Sequence, residues 1–329
     1  MATTVGQQMA VAIAPKFTAA ASAISSTTTI FLITCRSSEK RTYHRLVLGM
    51  SMCDLSASAA WFFTTWPIPR GTPGVYGAMG NQQTCSAQAF FAQFSLSTVM
   101  YNASLAIYYV LVIVKGWADH DIVKIEPFLH ANAIAWGLGT GLASLALTLF
   151  NPVGWDCWLS AAPLGCQESW NSPDGTTTCE RGDNGSIYQW AFYYAPLWFV
   201  IFFVACLLYW VYHNVSAHET HMQASYQGLL SQIPSTATSN HKKIARQAAA
   251  YVGSFFFTWL FPTIFQLVIV TMGNPPWILL FLTALFVPIQ GVFILVIFIR
   301  PAYLKYRRAH PEEFFIAAWF RMMRQEIAK

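Results

Sequence analysis

The sequence predicts an all-α membrane protein: a bundle of seven transmembrane helices with a short interfacial helix after the last. Three observations lead there. Of 329 residues, 55% are hydrophobic and 10% charged, where an ordinary soluble domain carries roughly 25% charge. Seven stretches reach the ~20 apolar residues that a helix needs to cross the bilayer with its backbone hydrogen bonds satisfied internally. The basic residues then alternate in density between successive connections.

The first span, 11–35, is the weakest, holding Lys16 and the hydroxyl run Ser25 to Thr29, yet it ends on Ile30-Phe31-Leu32-Ile33. Spans 46–66, 86–114, 128–150, 187–212, 244–271 and 276–299 follow. The N-terminal 1–10 precede the bundle without the pattern of a cleaved signal peptide, and no lipidation motif stands out. With the N-terminus outside, 16 of the 19 Lys and Arg residues fall on the inner side, leaving Lys16, Arg70 and Arg181 outside. Positive loops are retained in the cytoplasm, so this orientation is the expected one. The net charge of +5 reads as topology signals flanking apolar spans and argues against a nucleic-acid partner.

The outer connection 151–186 is acidic, with Asp156, Glu168, Asp174, Glu180 and Asp183 against Arg181. Cys157, Cys166 and Cys179 lie in it, and Cys85 starts span 3. Four cysteines on the face that charge independently places outside point to two disulfides, with three pairings open. Asn184-Gly185-Ser186 is a glycosylation sequon on the same face. The inner loop 213–243, rich in Ser, Thr, Gln and His, reads as largely disordered. In the tail, 300–329, Pro311, Glu312 and Glu313 signal a helix start, and Phe315, Trp319, Met322 and Met323 recur at helical spacing beside Arg321 and Arg324. That pattern fits a helix lying on the inner membrane surface.

Within the spans there is essentially one ionisable side chain, Asp54 in span 2. A charge at membrane depth is costly and is a functional candidate by default. Gln93, Asn102, Asn132, Gln266 and Gln290 are the uncharged polar groups expected to reach it or to line a cavity. Pro196, Pro262 and Pro288 interrupt spans 5, 6 and 7, each freeing a carbonyl and permitting a bend.

Leu46 to Leu55, running through Met50 and Cys53-Asp54, resembles the helix-2 pattern of G protein-coupled receptors. Trp136 sits where their helix-4 tryptophan would. Trp259-Leu260-Phe261-Pro262 is similar to the Trp-x-Pro switch of rhodopsin-like receptors, one residue longer. Departures are equally plain. Tyr108-Tyr109-Val110 stands where Asp-Arg-Tyr would, and Pro288-Ile289-Gln290-Gly291 replaces Asn-Pro-x-x-Tyr. The Gln-Gly pair and Cys157-Trp158 look instead like the secretin, adhesion and cyclic-AMP-receptor branches. By that resemblance Cys85 pairs with Cys157, leaving Cys166 with Cys179.

The resemblance implies a plasma-membrane receptor coupling an extracellular ligand to a heterotrimeric G protein. Its switch would involve Asp54, Tyr108, Tyr109, Trp136, Trp259, Pro262, Pro288, Gln290 and Gly291. Ligand-pocket candidates are Gln93, Trp190, Tyr194 and Gln266. Arg41, Arg45, Lys115, Lys242, Lys243, Arg246, Lys305 and Arg307 form the basic surface expected to meet the G protein or anionic lipid. Outer aromatics suit an apolar or cationic ligand. Spans 5 to 7 carry no lysine away from their ends, which argues against retinal. A transporter or channel is the alternative, weakened by the single intramembrane acid and the lack of an internal repeat. No hydrolase, metalloprotease or metal-ligand motif appears, and no enzyme activity or cofactor is expected.

Overall fold

The computed structural model describes residues 4–36, 41–163, 166, 179–226, 236–273 and 275–328, with the backbone alone described at 36, 216–226, 236–244, 327 and 328. The chain is an α-helical bundle. Helices α1 (Val5–Arg36) and α2 (Thr42–Phe62) pack side by side. Helices α3 (Gln82–Ala92) and α4 (Phe94–Ile113) form one long rod, broken at Gln93 where a single continuous span is expected. After the short α5 (Asp119–Ile122) comes α6 (Glu126–Ala146).

The connection from α6 holds the molecule's two-stranded sheet, β1 (Phe150–Pro152) antiparallel to β2 (Cys157–Leu159), with Pro152 opposite Cys157. Span 4 therefore ends earlier than hydropathy suggests, because Phe150 is already in the hairpin. Helix α7 (Gly185–Gln189) passes through a π turn, Trp190–Tyr194, into α8 (Ala195–Tyr226). Pro196 has no N–H, and the preceding Ala195 N–H reaches back five residues to the Trp190 carbonyl. Helix α9 (Thr236–Met272) carries Pro262 within it. Helix α10 (Trp277–Phe286) tightens through a 3₁₀ turn at Val287–Ile289, around Pro288, into α11 (Gln290–Ala309), and α12 (Phe315–Ala328) closes the chain.

Five of these rods are long and apolar enough to cross a membrane: Val5–Cys35, Gln82–Ile113, Gly185–Val215, Ala245–Met272 and Trp277–Ala309. Helices α2 and α6, each of 21 residues, pack among them. α4 is the central rod, touching α2, α6, α8 and α9. Its Leu96, Tyr101 and Leu105 are fully enclosed, whereas Phe199, Phe202, Tyr209 and Tyr212 of α8 face outward. So many bare aromatics on one rod would be untenable in water and suit lipid.

Lys16, the blemish of the first span, is accounted for. Its ammonium donates to the carbonyls of Phe62 and Phe63, at 3.1 and 3.2 Å, where α2 runs out of helical donors. It also stands 3.6 Å over the Trp66 ring. In the 213–243 loop, α8 continues to Tyr226 and α9 begins at Thr236, so much of the expected disorder is helix; residues 227–235 lie outside the described residues.

At the tail, Ala318 and Met322 of α12 are buried against Leu32, Ile299, Tyr303 and Tyr306. Phe315, Ile316 and Phe320 stay exposed. Glu313 holds the turn, accepting from Arg321 at 2.7 Å and from the Tyr306 hydroxyl, while Arg307 donates to its carbonyl.

Candidate functional site

At the hairpin end, the ends of α2, α4, α9 and α10, together with β1 and β2, surround a cavity of about 750 Å³. That is the range of small-molecule sites. The hairpin is fixed over it. The Cys85–Cys157 disulfide joins α3 to β2, and Cys166–Cys179 joins the rest of the loop; both are the pairs that the resemblance implies. Beside the first bridge, Gln88 accepts from the Cys157 N–H at 3.0 Å and donates to the carbonyls of Ala60 and Thr64. Gln189 donates to the Leu159 carbonyl, and Gln82 to that of Phe150.

An aromatic path descends from the hairpin. The Trp158 ring meets Tyr193 edge-on at 4.9 Å between centroids, and Tyr193 meets Trp259 at 5.5 Å. The π turn carries Tyr193 and its neighbour Tyr194 into the cavity wall, both buried. An extra residue per turn is a common device for re-aiming side chains at functional sites. Tyr193 and Ser95 of α4 share a hydrogen bond of 2.8 Å. Trp259 and Pro262 form the α9 side of the wall.

Among the described residues one carboxylate lines the cavity. Asp156, at the hairpin turn, is 3% exposed. Burial pushes its carboxyl well above the ordinary carboxylate range, offset only in part by a hydrogen bond from Trp61. Its Oδ1 has no partner among the described residues.

Mid-bundle, Asp54 Oδ2 accepts from three serines: Ser26 at 2.7 Å, Ser22 at 3.1 Å and Ser58 at 3.3 Å. Ser22 in turn accepts the Gly291 N–H at 2.8 Å, in the first turn of α11, where helical partners are scarce after Pro288. One hydroxyl thus serves as donor and acceptor, and α1, α2 and α11 meet at one point. A methyl group on Gly291 would collide with Asp54 and both α1 serines.

At the opposite end, the Tyr43 hydroxyl of α2 meets that of Tyr251 on α9 at 2.9 Å and accepts from Gln247 at 2.8 Å. Tyr108, Tyr109 and Phe298 ring it, with centroids 6.2, 6.4 and 6.5 Å away. Nearby Glu126 takes Arg45 through both its oxygens, at 2.5 and 2.6 Å. His130, one turn on, lies 3.5 Å from the same carboxylate and bonds the Tyr101 hydroxyl at 2.8 Å. Asp119 caps the start of α2 through the Thr42 N–H.

No protein-family model and no curated protein matches the chain. Among solved structures, the crystal structure of squid rhodopsin is similar, with a TM-score of 0.61 at 14% identity, over 96% of this chain and 85% of that one. The chain has a rhodopsin-like fold. It is a multi-pass membrane protein, and this rhodopsin-like bundle brings some of the expected residues together while separating others.

Of the ligand-pocket candidates, Tyr194 and Gln266 line the cavity. Gln93 does not: it lies behind the wall, donating to Thr140 at 3.0 Å and accepting from Trp158 at 3.1 Å. Trp190 leans on Tyr194 rather than lining the space. Trp136 stands exposed on α6, since that helix turns its small residues, Gly137 and Gly141, toward the bundle. Asp54 is met by serines, not by the amides expected to reach it. Asn102 is bound to its own helix through the Thr98 carbonyl, Asn132 is exposed, and both polar atoms of the buried Gln290 side chain lack partners among the described residues.

Of the basic residues, Arg45 is committed to Glu126 and Lys115 reaches over the Trp210 ring at 5.4 Å. Arg41, Arg246 and Lys305 are exposed and Arg307 half-buried, while the Lys242 and Lys243 side chains lie outside the described residues. Asn184 is exposed at the start of α7. Sequence reasoning missed Tyr43, Gln247, Tyr251, Ser22 and the placement of Asp156. Only the last had a local signal, its position immediately before a disulfide cysteine.

Proposed function

We propose that the chain is a plasma-membrane receptor of seven spans, the two 21-residue helices α2 and α6 included. Its N-terminus and hairpin lie outside, and it couples a ligand in the aromatic cavity to a cytoplasmic heterotrimeric G protein. One observation carries the reading: helix α9 meets the cavity at Trp259 and Pro262 and, about two turns toward its start, is held by the Tyr43–Tyr251 contact. A ligand pressing on Trp259 acts where a proline already lets the helix bend. A small rotation there moves the far end of α9 away from α2.

The ligand need supply only its differential affinity for the open state. The tyrosine contact takes the place of the ionic lock that the sequence lacks. Asp54, Ser22 and Gly291 form the hub that registers α11 against α1 and α2 during the motion. Opening exposes a floor flanked by Arg41, Lys115, Arg246, Lys305 and Arg307, with Lys242 and Lys243 following in the chain, and this is the face offered to the G protein and anionic lipid. The exposed side of α12 lies on the inner leaflet, and Asn184 carries a glycan outside.

The test is guanine-nucleotide exchange by purified heterotrimeric G proteins on vesicles holding the wild type, Tyr251→Phe or Trp259→Ala. Releasing the contact through Tyr251→Phe raises basal exchange several-fold, and Trp259→Ala changes it. Exchange equal to that on empty vesicles in all three ends the reading.

A further inference from the structure

We infer that the cavity takes a small organic ammonium ion, an amine on an aromatic or apolar body, with Asp156 as its counter-ion. The inference rests on the receptor reading for its consequence, but the site itself stands on geometry. Asp156 is 3% exposed, lines the cavity and keeps one carboxylate oxygen without a donor among the described residues. A buried polar group with an unmet hydrogen bond is costly, and a packing role is better served by an apolar residue. No lysine, arginine or histidine among the described residues lines the cavity to serve as an internal partner.

The walls fit the same chemistry. Trp61, Trp155 and Trp158 stand around the acid with Tyr193 and Tyr194 beyond it. Aromatic faces attract a cation and shelter the apolar body that carries it. An anion would meet the carboxylate with nothing to offset it. A neutral ligand without a hydrogen-bond donor would leave Oδ1 unsatisfied. The hairpin position adds a consequence: Asp156 adjoins Cys157, which is bridged to α3, so the counter-ion is held in place before ligand arrives.

The experiment uses the full chain, purified in detergent, with three amines (benzylamine, phenethylamine, tryptamine) and the neutral compounds that replace each ammonium by methyl (ethylbenzene, propylbenzene, 3-propylindole). Binding is read by the shift in thermal unfolding midpoint and by competition. At least one amine binds the wild type about tenfold or more tightly than its neutral counterpart, the order expected of a hydrogen bond to a charged group. Asp156→Asn, which keeps shape and a donor for stability, removes that preference; Asp156→Glu retains part of it.

Equal shifts from amines and neutral compounds, no shift from any amine, or an undiminished preference in Asp156→Asn overturns the inference. If Asp156→Asn does not fold, carbodiimide coupling of bound amine to the wild-type Asp156 carboxyl, which forms the amide and releases the urea, decides instead by peptide mass mapping, and absence of that amide at Asp156 overturns it. Failure of the receptor reading is distinguishable. Amines that bind through Asp156 while no G protein exchanges nucleotide leave the site standing and remove the signalling role. Exchange driven only by neutral compounds does the reverse.

Discussion

The two ends of the bundle are built on opposite plans. At the hairpin end, backbone is covalently fixed and space is left open: two disulfides, a β-hairpin and a π turn surround about 750 Å³ of aromatic cavity. At the tail end the ties among the described residues are non-covalent. Tyr43, Tyr251 and Gln247 close that end with hydroxyl and amide bonds, and Arg45 and Glu126 tie α2 to α6. Each tail-end tie is worth on the order of 1 kcal/mol net, so that end is reversible by construction. A disulfide-held receiver joined to a weak latch by one helix that carries a proline is what the proposed receptor role requires.

Breaking the fixed end has the largest effect. Cys85→Ser releases a bridge spanning 72 residues, a loss on the order of 4 kcal/mol. The purified variant melts far below the wild type, and little of it reaches the cell surface by antibody staining. A wild-type melting curve would show that the hairpin is held by its hydrogen bonds alone. Next comes the hub between the ends. Gly291→Ala drives a methyl group into Asp54 and the α1 serines, a strain of about 1–3 kcal/mol, read as a lowered unfolding midpoint. Relief is expected when Ser22→Gly is added to make room.

The smallest effects belong to the latch. Arg45→Gln loses a partly exposed ion pair, about 1 kcal/mol once solvent screening is allowed for. Tyr251→Phe removes one hydroxyl bond, again about 1 kcal/mol, which corresponds to roughly a fivefold shift between closed and open populations. The two should differ in kind: both lower the midpoint slightly, but only Tyr251→Phe raises basal nucleotide exchange, because Tyr251 ties α9 to α2 whereas the Arg45–Glu126 pair ties α2 to α6.

The sequence exposes the hairpin end better than the latch. Cysteines announce themselves, and the Trp259 to Pro262 motif marks the α9 wall without any contact being known. Asp54 stands out because a carboxylate in an apolar run is costly wherever it points. Its partners do not stand out. Ser26 lies in the hydroxyl run that weakens the first span and Ser22 three residues before it, and hydropathy averages over a helix and cannot tell a serine facing lipid from one facing an acid.

Tyr43 and Tyr251 are hidden for another reason. Each is an ordinary tyrosine near a span end, and only folding brings residues 208 apart within 2.9 Å. The π turn and the hairpin leave no periodic trace over so few residues. The pairing of Arg45 with Glu126 is hidden because charge counting assigns a side of the membrane, not a partner.

In the proposed receptor, α9 is one moving part that meets the cavity at Trp259 and Pro262 and the latch at Tyr251. The most direct test is a distance distribution between spin labels on the exposed tail-end positions Ala131→Cys of α6 and Ala249→Cys of α9, with the exposed Cys35 and Cys206 replaced by serine. Tyr251→Phe should populate a longer distance, and Trp259→Ala, about two turns along the same helix, should change the balance between the same two distances. A single unchanged distance in the parent and both variants would contradict the account.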